Sequence, residues 1–354
     1  MTTNDTTAIL NNDNLPLVSL IMPVRNEAQF IERSLGAVLA QDYPPEKLEI
    51  LVADGMSDDG TREILDRAAL ENPRLQVIDN PGRIVSTGLN SGIRIARGLI
   101  IFRVDGHAEV APDYIRQNLG MLKEHPEAWS VGGPIVHTAN TTTGKAIAAA
   151  MSHPLGVGNA RHRFQDYEGY AEGAAFPAIR RWVFDSIGYF DETLVRNQDE
   201  EFNYRIHLAG GRVWMSPHIR YRYFVREKLR NLFRQYLQYG FWKIAVIVKH
   251  RRPPAVRQLV PSFFFLSWPI LIAVGVWSGL PWLGAVLPLI YSATLAGAGI
   301  ACVPYTGTAI ACRLPFALAT MHVAYAFGFL AGCWARAYRM NLWNANGAMG
   351  NLSR

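Results

Sequence analysis

The segment from Leu99 to His107 holds the residues whose types and spacing most suggest chemistry. An apolar run with strand character stops at Asp105, and a single glycine, Gly106, separates that carboxylate from the imidazole of His107. Both side chains can turn inward where a strand opens into a loop, and a carboxylate with an imidazole suits a divalent cation that in turn holds a diphosphate. Because Asp-Gly is also a common turn pair after a buried strand, the spacing alone leaves a structural explanation open.

A run of three acids, Asp199, Glu200 and Glu201, forms a second candidate. It precedes a stretch of helical spacing that ends at a pair of glycines. One explanation is structural, because Asn197 as an N-cap with Glu200 three residues later is a capping box, and acids are favourable at a helix N-terminus. Three acids exceed what capping needs, so the sequence also predicts that one of them points into a cleft as a general base.

The elements that must position these residues alternate along the first hundred residues. Short apolar runs with β-branched content are separated by segments with helical spacing. The predicted strands are Leu17–Met22, Leu48–Ala53, Leu75–Ile78 and Leu99–Val104. The alternation predicts an α/β fold with a Rossmann-like, mostly parallel sheet and helices on both faces.

Polar clusters follow three of these strands, at Pro23–Glu27, Asp54–Thr61 and Asp105–His107. In open α/β sheets, ligands bind beyond the carboxyl ends of the strands, so the three clusters should meet at one edge. The sequence contains neither G-x-G-x-x-G nor G-x-x-x-x-G-K-[ST]. A nucleotide bound at this edge therefore has to be held by carboxylates and a metal.

The last third of the chain is apolar. From Leu259 to Cys312, 54 residues pass without an Asp, Glu, Lys, Arg or His, and from Leu314 to Ala335 only His322 interrupts the apolar run. About three segments of roughly 20 residues fit here, the first two divided near Ser278–Pro281. We predict a transmembrane region over 258–336, since a buried hairpin of a soluble protein would have almost no solvent face.

The net charge of +6 is concentrated just before this region. Between Arg220 and Arg257 there are 11 Lys or Arg against one Glu. Apolar residues recur there at helical spacing, which predicts a basic amphipathic helix and linker over 226–257, either in the membrane interface or packed on the catalytic domain. The basic flank predicts a cell (inner) membrane protein with its catalytic domain on the cytoplasmic face and with membrane lipids as partners.

Nucleic acid is not a predicted partner, because no nucleic-acid-binding motif accompanies the basic patch. The remaining predicted regions are a flexible N-terminus over 1–15 without a signal peptide, a catalytic domain over 16–225 and a C-terminal tail over 337–354.

Six motifs, taken in order, carry a resemblance to a known enzyme family. They are PVRNEA, VADGMSDDGT, NPGRIVSTGLNSGI, FRVDGHAEV, NQDEEFNYR and RQYLQYGFW. Each alone is weak, but the ordered set resembles the family-2 glycosyltransferases of the GT-A fold, and among these the membrane-bound, succinoglycan-biosynthesis (ExoA-like) type. The resemblance covers roughly Leu17 to His250.

This resemblance implies a donor-binding role for several residues. Asp54 matches the acid that pairs with the uracil of a UDP-sugar. Pro23, Asn26 and Glu27 lie in a loop that matches the backbone lining the base, and Arg83 matches a basic residue near the nucleotide. Together they would bind the donor nucleotide.

The resemblance also implies the reacting groups. Asp105 and His107 match the D-x-D metal motif, so Asp105 contributes to donor binding as well as to the metal. Asp199 falls on the second position of the family's Glu-Asp pair, the general base. The predicted cofactor is Mn²⁺ or Mg²⁺, and an imidazole in place of the second carboxylate either favours Mn²⁺ over Mg²⁺ or weakens the site.

Five further residues are candidates for contacts to the acceptor or to the donor sugar, namely Glu172, Gly173, Gln198, Gln235 and Gln238. Gln198 stands where the family usually has Glu, and Gln235 heads the segment that matches Q-x-x-R-W. Gln238-Tyr239 replaces the Arg-Trp of that motif, a departure that leaves the acceptor contacts and a processive role open.

The chemistry of these residues fits one reaction. Displacing UDP from an anomeric carbon needs a cation for the charge on the diphosphate and a carboxylate that accepts the proton of the acceptor hydroxyl. One base and one metal suffice for inversion, whereas a retaining scheme would add a second carboxylate about 5 Å away. The sequence predicts a metal-dependent inverting glycosyltransferase that moves a sugar, glucose by resemblance, from a UDP-sugar to a lipid-linked glycan in exopolysaccharide or cell-surface glycan synthesis. The alternatives are a nucleotidyltransferase of similar fold and a non-catalytic membrane scaffold.

Overall fold

The computed structural model describes residues 15–338 of the chain. The strands are β1 (Val18–Val24), β2 (Leu48–Asp54), β3 (Leu75–Asp79), β4 (Ile100–Arg103), β5 (Ala108–Val110), β6 (Ala128–Gly133), β7 (Val136–Thr138), β8 (Gly169–Tyr170), β9 (Ala175–Arg180), β10 (Arg212–Met215) and β11 (Tyr221–Phe224). The α-helices are α1 (Ile31–Leu39), α2 (Thr61–Glu71), α3 (Val85–Ile95), α4 (Tyr114–Glu124), α5 (Thr142–Ala150), α6 (Pro154–Val157), α7 (Trp182–Ile187), α8 (Gln198–Leu208), α9 (Leu229–His250), α10 (Val260–Trp277), α11 (Leu283–Thr306), α12 (Thr308–Ala311) and α13 (Leu314–Ala337).

Eight of the strands form one sheet in the order β3-β2-β1-β4-β9-β6-β10-β8. Strands β3, β2, β1 and β4 are parallel, β9 is antiparallel to both β4 and β6, and β10 runs parallel to β6. The short edge strand β8 is antiparallel to β10. Six of the eight strands therefore share one direction, which confirms the mostly parallel sheet, whereas the sequence pattern did not indicate the reversed β9.

Alternation along β1 places the core on both faces of the sheet. Leu20 and Met22 belong to one apolar cluster together with Ile31 of α1, while Ile21 belongs to the opposite cluster with Leu89 of α3. Successive side chains of a strand point to opposite faces, so a strand that is buried throughout requires cover on both. The predicted helices on both faces are confirmed.

The chain divides into two compact units. The first contains the described residues up to Val136 and residues Ala160–Phe224, and the second contains His137–Asn159 and the chain from Val225 onward. The sequence placed the segment 137–159 in the catalytic domain, but the structure groups its helices α5 and α6 with the C-terminal helices. The predicted N-terminal segment and C-terminal tail fall almost entirely outside the described residues.

Three helical stretches in the second unit are long and apolar enough to cross a membrane. They are Val256–Trp277, Leu283–Thr306 and Thr308–Ala337. The division between the first two falls at the predicted Ser278–Pro281 break. In the third stretch His322, which lies between Arg313 and Arg336 in the sequence, has its Nδ1 2.9 Å from the Tyr291 hydroxyl and its Nε2 2.8 Å from the Leu155 carbonyl. Because both ring nitrogens have partners, this polar group is accommodated among apolar helices.

The predicted amphipathic helix is α9, and glycines bring it into close contact with α13. A Cβ atom on Gly240 would lie 2.1 Å from the Tyr325 carbonyl oxygen, and one on Gly328 would lie 1.9 Å from that of Leu237. Only glycine permits such an approach between two helix backbones. Neither sequence interpretation of this helix, in the interface or on the catalytic domain, included α13 as its partner.

We expect Gly240→Val to separate α9 from α13, because its branched side chain would collide with the backbone at Tyr325. Overpacking of this kind costs about 1–3 kcal/mol, so the apparent melting temperature in detergent should fall by roughly 2–10 °C. Gly297→Ala on α11 is the matched control, since a Cβ atom there meets nothing within 4 Å. Equal melting temperatures for both variants would contradict the close packing.

Candidate active site

The first two strands of the sheet end together at the edge where the polar clusters meet. The register pairs Val24 of β1 with Asp54 of β2. On its other side, β1 pairs with β4 only over Val18–Ile21. Pro23 was predicted in a loop, but it is a buried residue of β1 that pairs with Ala53. It lies beyond the β4 ladder, where a strand tolerates proline because fewer backbone donors are needed.

Hydrogen bonds join the loop after β1 to the loop after β2. Asn26, in the left-handed region with φ 54°, exchanges two bonds with Asp58: its Nδ2 donates to Oδ1 at 2.9 Å, and its Oδ1 accepts from the Asp58 amide at 3.1 Å. Two residues on, Ala28 donates its amide to the Asp59 carboxylate at 3.1 Å. Burial opposes ionisation of Asp59, but hydrogen bonds from Thr61 and Ala28 lower its pKa below the ordinary value. The two loops therefore form one hydrogen-bonded unit.

Asp54 lies at the base of this unit and is only 1% exposed. The Ser57 hydroxyl donates to its Oδ1 at 2.5 Å, and Arg62 Nη1 lies 3.7 Å from its Oδ2. Arg62 also bonds Asp66 and Asp79, the latter being the register partner of Asp54 on β3. The carboxylate predicted to pair with uracil is thus already held by a hydroxyl and a guanidinium.

Arg83 lies beyond the carboxyl end of β3, in the left-handed region with φ 60°. Its amide donates to the Asn80 carbonyl at 3.0 Å, and the Asn80 amide donates to the Asp54 carbonyl at 2.8 Å. The side chain is exposed and takes part in no ion pair within residues 15–338. It lies on the same edge of the sheet as Asp54, and its role near a nucleotide stays a prediction.

The Asp-Gly-His turn after β4 fits tightly against the first loop. A Cβ atom on Gly106 would lie 2.8 Å from Val24 Cγ1, so the space between the two candidate ligands admits only glycine. His107 Nδ1 lies 2.9 Å from Glu27 Oε1, and both side chains are largely buried. The Glu27 carboxylate therefore orients the His107 ring, while the prediction that the backbone of this loop lines the donor base stays a prediction.

Arg103, the last residue of β4, connects the two predicted reacting groups. Its Nε and Nη2 donate to Asp105 Oδ1 at 3.2 and 3.1 Å, and its Nη1 lies 3.6 Å from Asp199 Oδ2. Burial opposes the charge of this guanidinium, but the Asp105 and Asp199 carboxylates raise its pKa above the ordinary value. Sequence reasoning missed Arg103, although a lone arginine in an otherwise apolar strand was an available signal.

The helix α8 decides which of the three acids faces Arg103. Glu201 is fully buried and pairs with Arg205 at 2.9 Å, whereas the Asp199 side chain is 52% exposed and its Oδ1 accepts the Glu200 amide at 2.9 Å. Asn197 precedes the helix in the left-handed region and its side chain makes no capping hydrogen bond, so the predicted capping box is wrong. Asp199 is therefore the acid of this run that meets the candidate site.

A loop that the sequence associated with the acceptor or donor sugar lies against α8. A Cβ atom on Gly173 would come within 2.7 Å of Asn203 Nδ2, and the Glu172 carbonyl lies 3.1 Å from His207 Nε2. At the start of α8, Gln198 is 5% exposed, and its Oε1 has no hydrogen-bond partner among the described residues. An orphaned carbonyl beside Asp199 is suited to receive a hydroxyl donor from a ligand.

The remaining candidates, Gln235 and Gln238, lie in the second unit on α9. Both are buried, and Gln235 Nε2 donates to the Tyr239 hydroxyl one helical turn away at 2.9 Å. Tyr239 is the residue that replaces the Trp of the family motif. The residues that the first unit gathers around Arg103 do not include these two glutamines.

Asp105 and His107 carry donor atoms of the kinds that bind a divalent cation. Asp105 offers carboxylate oxygens, and His107, with Nδ1 directed at Glu27, offers Nε2, the arrangement usual for metal-bound histidines. Within residues 15–338 no group of three or more His, Cys, Asp or Glu side chains is arranged to hold a metal ion. Two protein ligands suit an ion that also binds phosphate oxygens, as magnesium-type sites commonly do.

Comparison with known proteins identifies the class to which this site belongs. Residues 19–187 match the family model described as Glycosyl transferase family 2. Over 288 residues the chain is 33% identical to the succinoglycan biosynthesis protein ExoA of Rhizobium meliloti (strain 1021), covering 76% of this chain and 85% of ExoA. The chain belongs to glycosyltransferase family 2 and acts in polysaccharide or glycan biosynthesis.

Two further relatives extend the comparison. The first, from Methanococcus voltae, is a dolichyl N-acetyl-alpha-D-glucosaminyl phosphate 3-beta-D-2,3-diacetamido-2,3-dideoxy-beta-D-glucuronosyltransferase, 26% identical over 66% of this chain and 74% of its own length. The second is a solved structure, the mannosyltransferase PcManGT from Pyrobaculum calidifontis in complex with GDP-Man and Mn²⁺, with a TM-score of 0.57, 21% identity and 94% coverage of both chains. The structural likeness shows a shared GT-A-like fold.

The contact between Glu27 and His107 predicts a metal-binding phenotype. Glu27→Gln should weaken Mn²⁺ binding in the presence of UDP by about 10- to 100-fold, because the ring loses the carboxylate that orients it. The measurement is a calorimetric titration of Mn²⁺ into the UDP-saturated protein. Glu32→Gln, an exposed carboxylate on α1, is the matched control, and equal affinities for the two variants would refute the role of Glu27.

Proposed function

We propose that this protein is an inverting, metal-dependent glycosyltransferase that uses a UDP-sugar donor and a lipid-linked glycan acceptor. One observation carries the proposal: the carboxylates of Asp105 and Asp199, far apart in the sequence, contact the same guanidinium of Arg103. A leaving-group site and a base would therefore lie on either side of one side chain in the first unit. Family membership favours sugar transfer over nucleotidyl transfer or a scaffold role.

On the donor side, Asp105 and His107 would hold Mn²⁺, or Mg²⁺, together with the diphosphate. When bound, the ion takes up negative charge as the diphosphate leaves. The adjacent edge, with Asp54, the backbone from Pro23 to Glu27, and Arg83, would hold the nucleotide. PcManGT is described with GDP-Man and Mn²⁺, which supports a nucleotide sugar and a divalent ion at such a site.

On the acceptor side, Asp199 acts as the general base. Its exposed carboxylate takes the proton of the acceptor hydroxyl, whose oxygen forms a bond to the anomeric carbon as the bond from that carbon to the diphosphate oxygen breaks. UDP leaves with that bonding pair, so a single displacement inverts the anomeric configuration. Gln198 at the start of α8, and Glu172 and Gly173 in the loop beside that helix, would contact a sugar, and Gln235 and Gln238 are proposed acceptor contacts on α9.

The lipid-linked acceptor and the location of the enzyme are argued from the second unit. Three helices are able to cross a membrane by length and composition, and the basic stretch from Arg220 to Arg257 precedes them. The name of the Methanococcus voltae relative includes a dolichyl phosphate. We propose a cell (inner) membrane enzyme with its catalytic unit on the cytoplasmic face, α9 beside lipid headgroups, and glucose as the sugar.

The function is tested by turnover of a panel of nucleotide sugars with detergent-solubilised protein and lipid-linked acceptors. We expect UDP release and acceptor glycosylation with one UDP-sugar and Mn²⁺, and loss of both after chelation. Preference for a GDP-sugar would reject the uridine assignment, and turnover that survives chelation would reject the metal. Formation of a sugar nucleotide from a sugar phosphate would instead favour a nucleotidyltransferase.

If Asp199 is the general base, its replacement should lower the rate of sugar transfer without weakening UDP binding. Asp199→Asn should lower kcat by about 10²- to 10⁴-fold, the usual contribution of a general base, while the Kd for UDP with Mn²⁺ stays nearly unchanged. Glu200→Gln, the adjacent acid, is the matched control and should retain activity. If Asp199→Asn weakened UDP binding as much as it slowed transfer, Asp199 would be a donor ligand and not the base.

A further inference from the structure

Arg103 holds an unusual place in its strand. The other residues of β4, from Ile100 to Phe102, are apolar and buried, and Arg103 is buried with them at 8% exposure. A buried charge is tolerated only when it is paired and hydrogen-bonded. The fold meets this requirement with two carboxylates from separate elements, Asp105 just after β4 and Asp199 on α8.

Asp199 has a hydrogen bond at one carboxylate oxygen and an ion pair at the other. Oδ1 accepts the Glu200 amide at the start of α8, and Oδ2 faces Arg103 Nη1 at 3.6 Å. The opposite side of the guanidinium donates through Nε and Nη2 to Asp105. The planar fork of an arginine has donors along two edges, so it can set the position of one carboxylate relative to the other, whereas a lysine ammonium lacks this fixed geometry.

We propose that Arg103 is a positioning residue that sets the Asp199 carboxylate relative to Asp105, so that base and leaving-group site act on one substrate. This inference rests on the proposed function. Misplacement of a reacting group by about 1 Å can reduce a rate by about 10²-fold, so the contact matters for chemistry even though Arg103 touches no reacting atom. Donor affinity also depends on Asp54, Arg83 and His107. Loss of Arg103, which holds Asp105 as well, should therefore lower that affinity less than it lowers the rate.

The test is a double-mutant cycle between Arg103→Gln and Asp199→Asn. Arg103→Gln alone should lower kcat by about 10²-fold and weaken UDP–Mn²⁺ binding, measured by calorimetry, by less than about tenfold. In the Asp199→Asn background, the same substitution should change kcat by less than about threefold, because Arg103 acts through a carboxylate that no longer serves as base. Arg103→Lys, which retains charge without the fork, should restore only part of the rate.

Several results would overturn the proposal. An undiminished 10²-fold loss in the Asp199→Asn background would show that Arg103 acts independently of the base. A fall in UDP affinity that matches the fall in kcat would make it a donor ligand, and loss of folding in both Arg103→Gln and Arg103→Lys would make it a purely structural residue. Arg97→Gln, which breaks the pair with Glu49 just before β4, is the matched control and should leave both constants unchanged.

Failure of the inference is distinguishable from failure of the proposed function. Wild-type sugar transfer and the effect of Asp199→Asn alone are measured in the same assay. If wild type transfers no sugar, or if Asp199→Asn is as active as wild type, the proposed function fails. If both behave as expected and only the cycle is additive, the positioning role of Arg103 fails by itself.

Discussion

A guanidinium removed from water at the end of a strand requires anionic partners, and this requirement organises the candidate site. Arg103 obtains Asp105 from its own turn and Asp199 from a helix that forms much later in the chain. Without the guanidinium, the two carboxylates would repel each other in a partly buried setting. The ion pairs therefore connect the turn after β4 with the first turn of α8. The two proposed reacting groups lie near each other because both pair with the buried guanidinium of Arg103.

A second set of contacts supports the other half of the site. The bonds of Asn26 with Asp58 join the loops after β1 and β2, and Glu27, next in sequence, reaches His107. Gly106 allows the turn to approach Val24 closely enough for this contact. Loops beyond parallel strands are usually the variable part of an α/β fold. Here side-chain hydrogen bonds join the loops to one another, and such support is what a site with preorganised ligands requires.

The second unit contains the helices that are long and apolar enough to cross a membrane. Its apolar helices present few polar groups to their surroundings, and His322 is tolerated among them because Tyr291 and the Leu155 carbonyl occupy both ring nitrogens. The basic helix α9 is attached to α13 through glycine contacts at Gly240 and Gly328. Cationic side chains on α9 and apolar surface on α13 are therefore presented by one packed pair of helices, an arrangement suited to a membrane surface.

Local pattern was sufficient to predict much of this protein. Periodicity and strand-ending clusters predicted the parallel strands β1 to β4, the helices between them, the apolar spans and the candidate acids, since each depends on neighbouring residues alone. The reversed β9, the grouping of 137–159 with the C-terminal helices, the partner of α9 and the Glu27–His107 contact depended on residues far apart in sequence. The pairing of Arg103 with Asp199 also depended on distant residues, because this contact forms only when the chain has folded, whereas Glu201 pairs with Arg205 within its own helix. The residue types that can perform chemistry are thus determined by the sequence, whereas their partners are decided by tertiary packing, which alone brings distant charges within a few ångströms of one another.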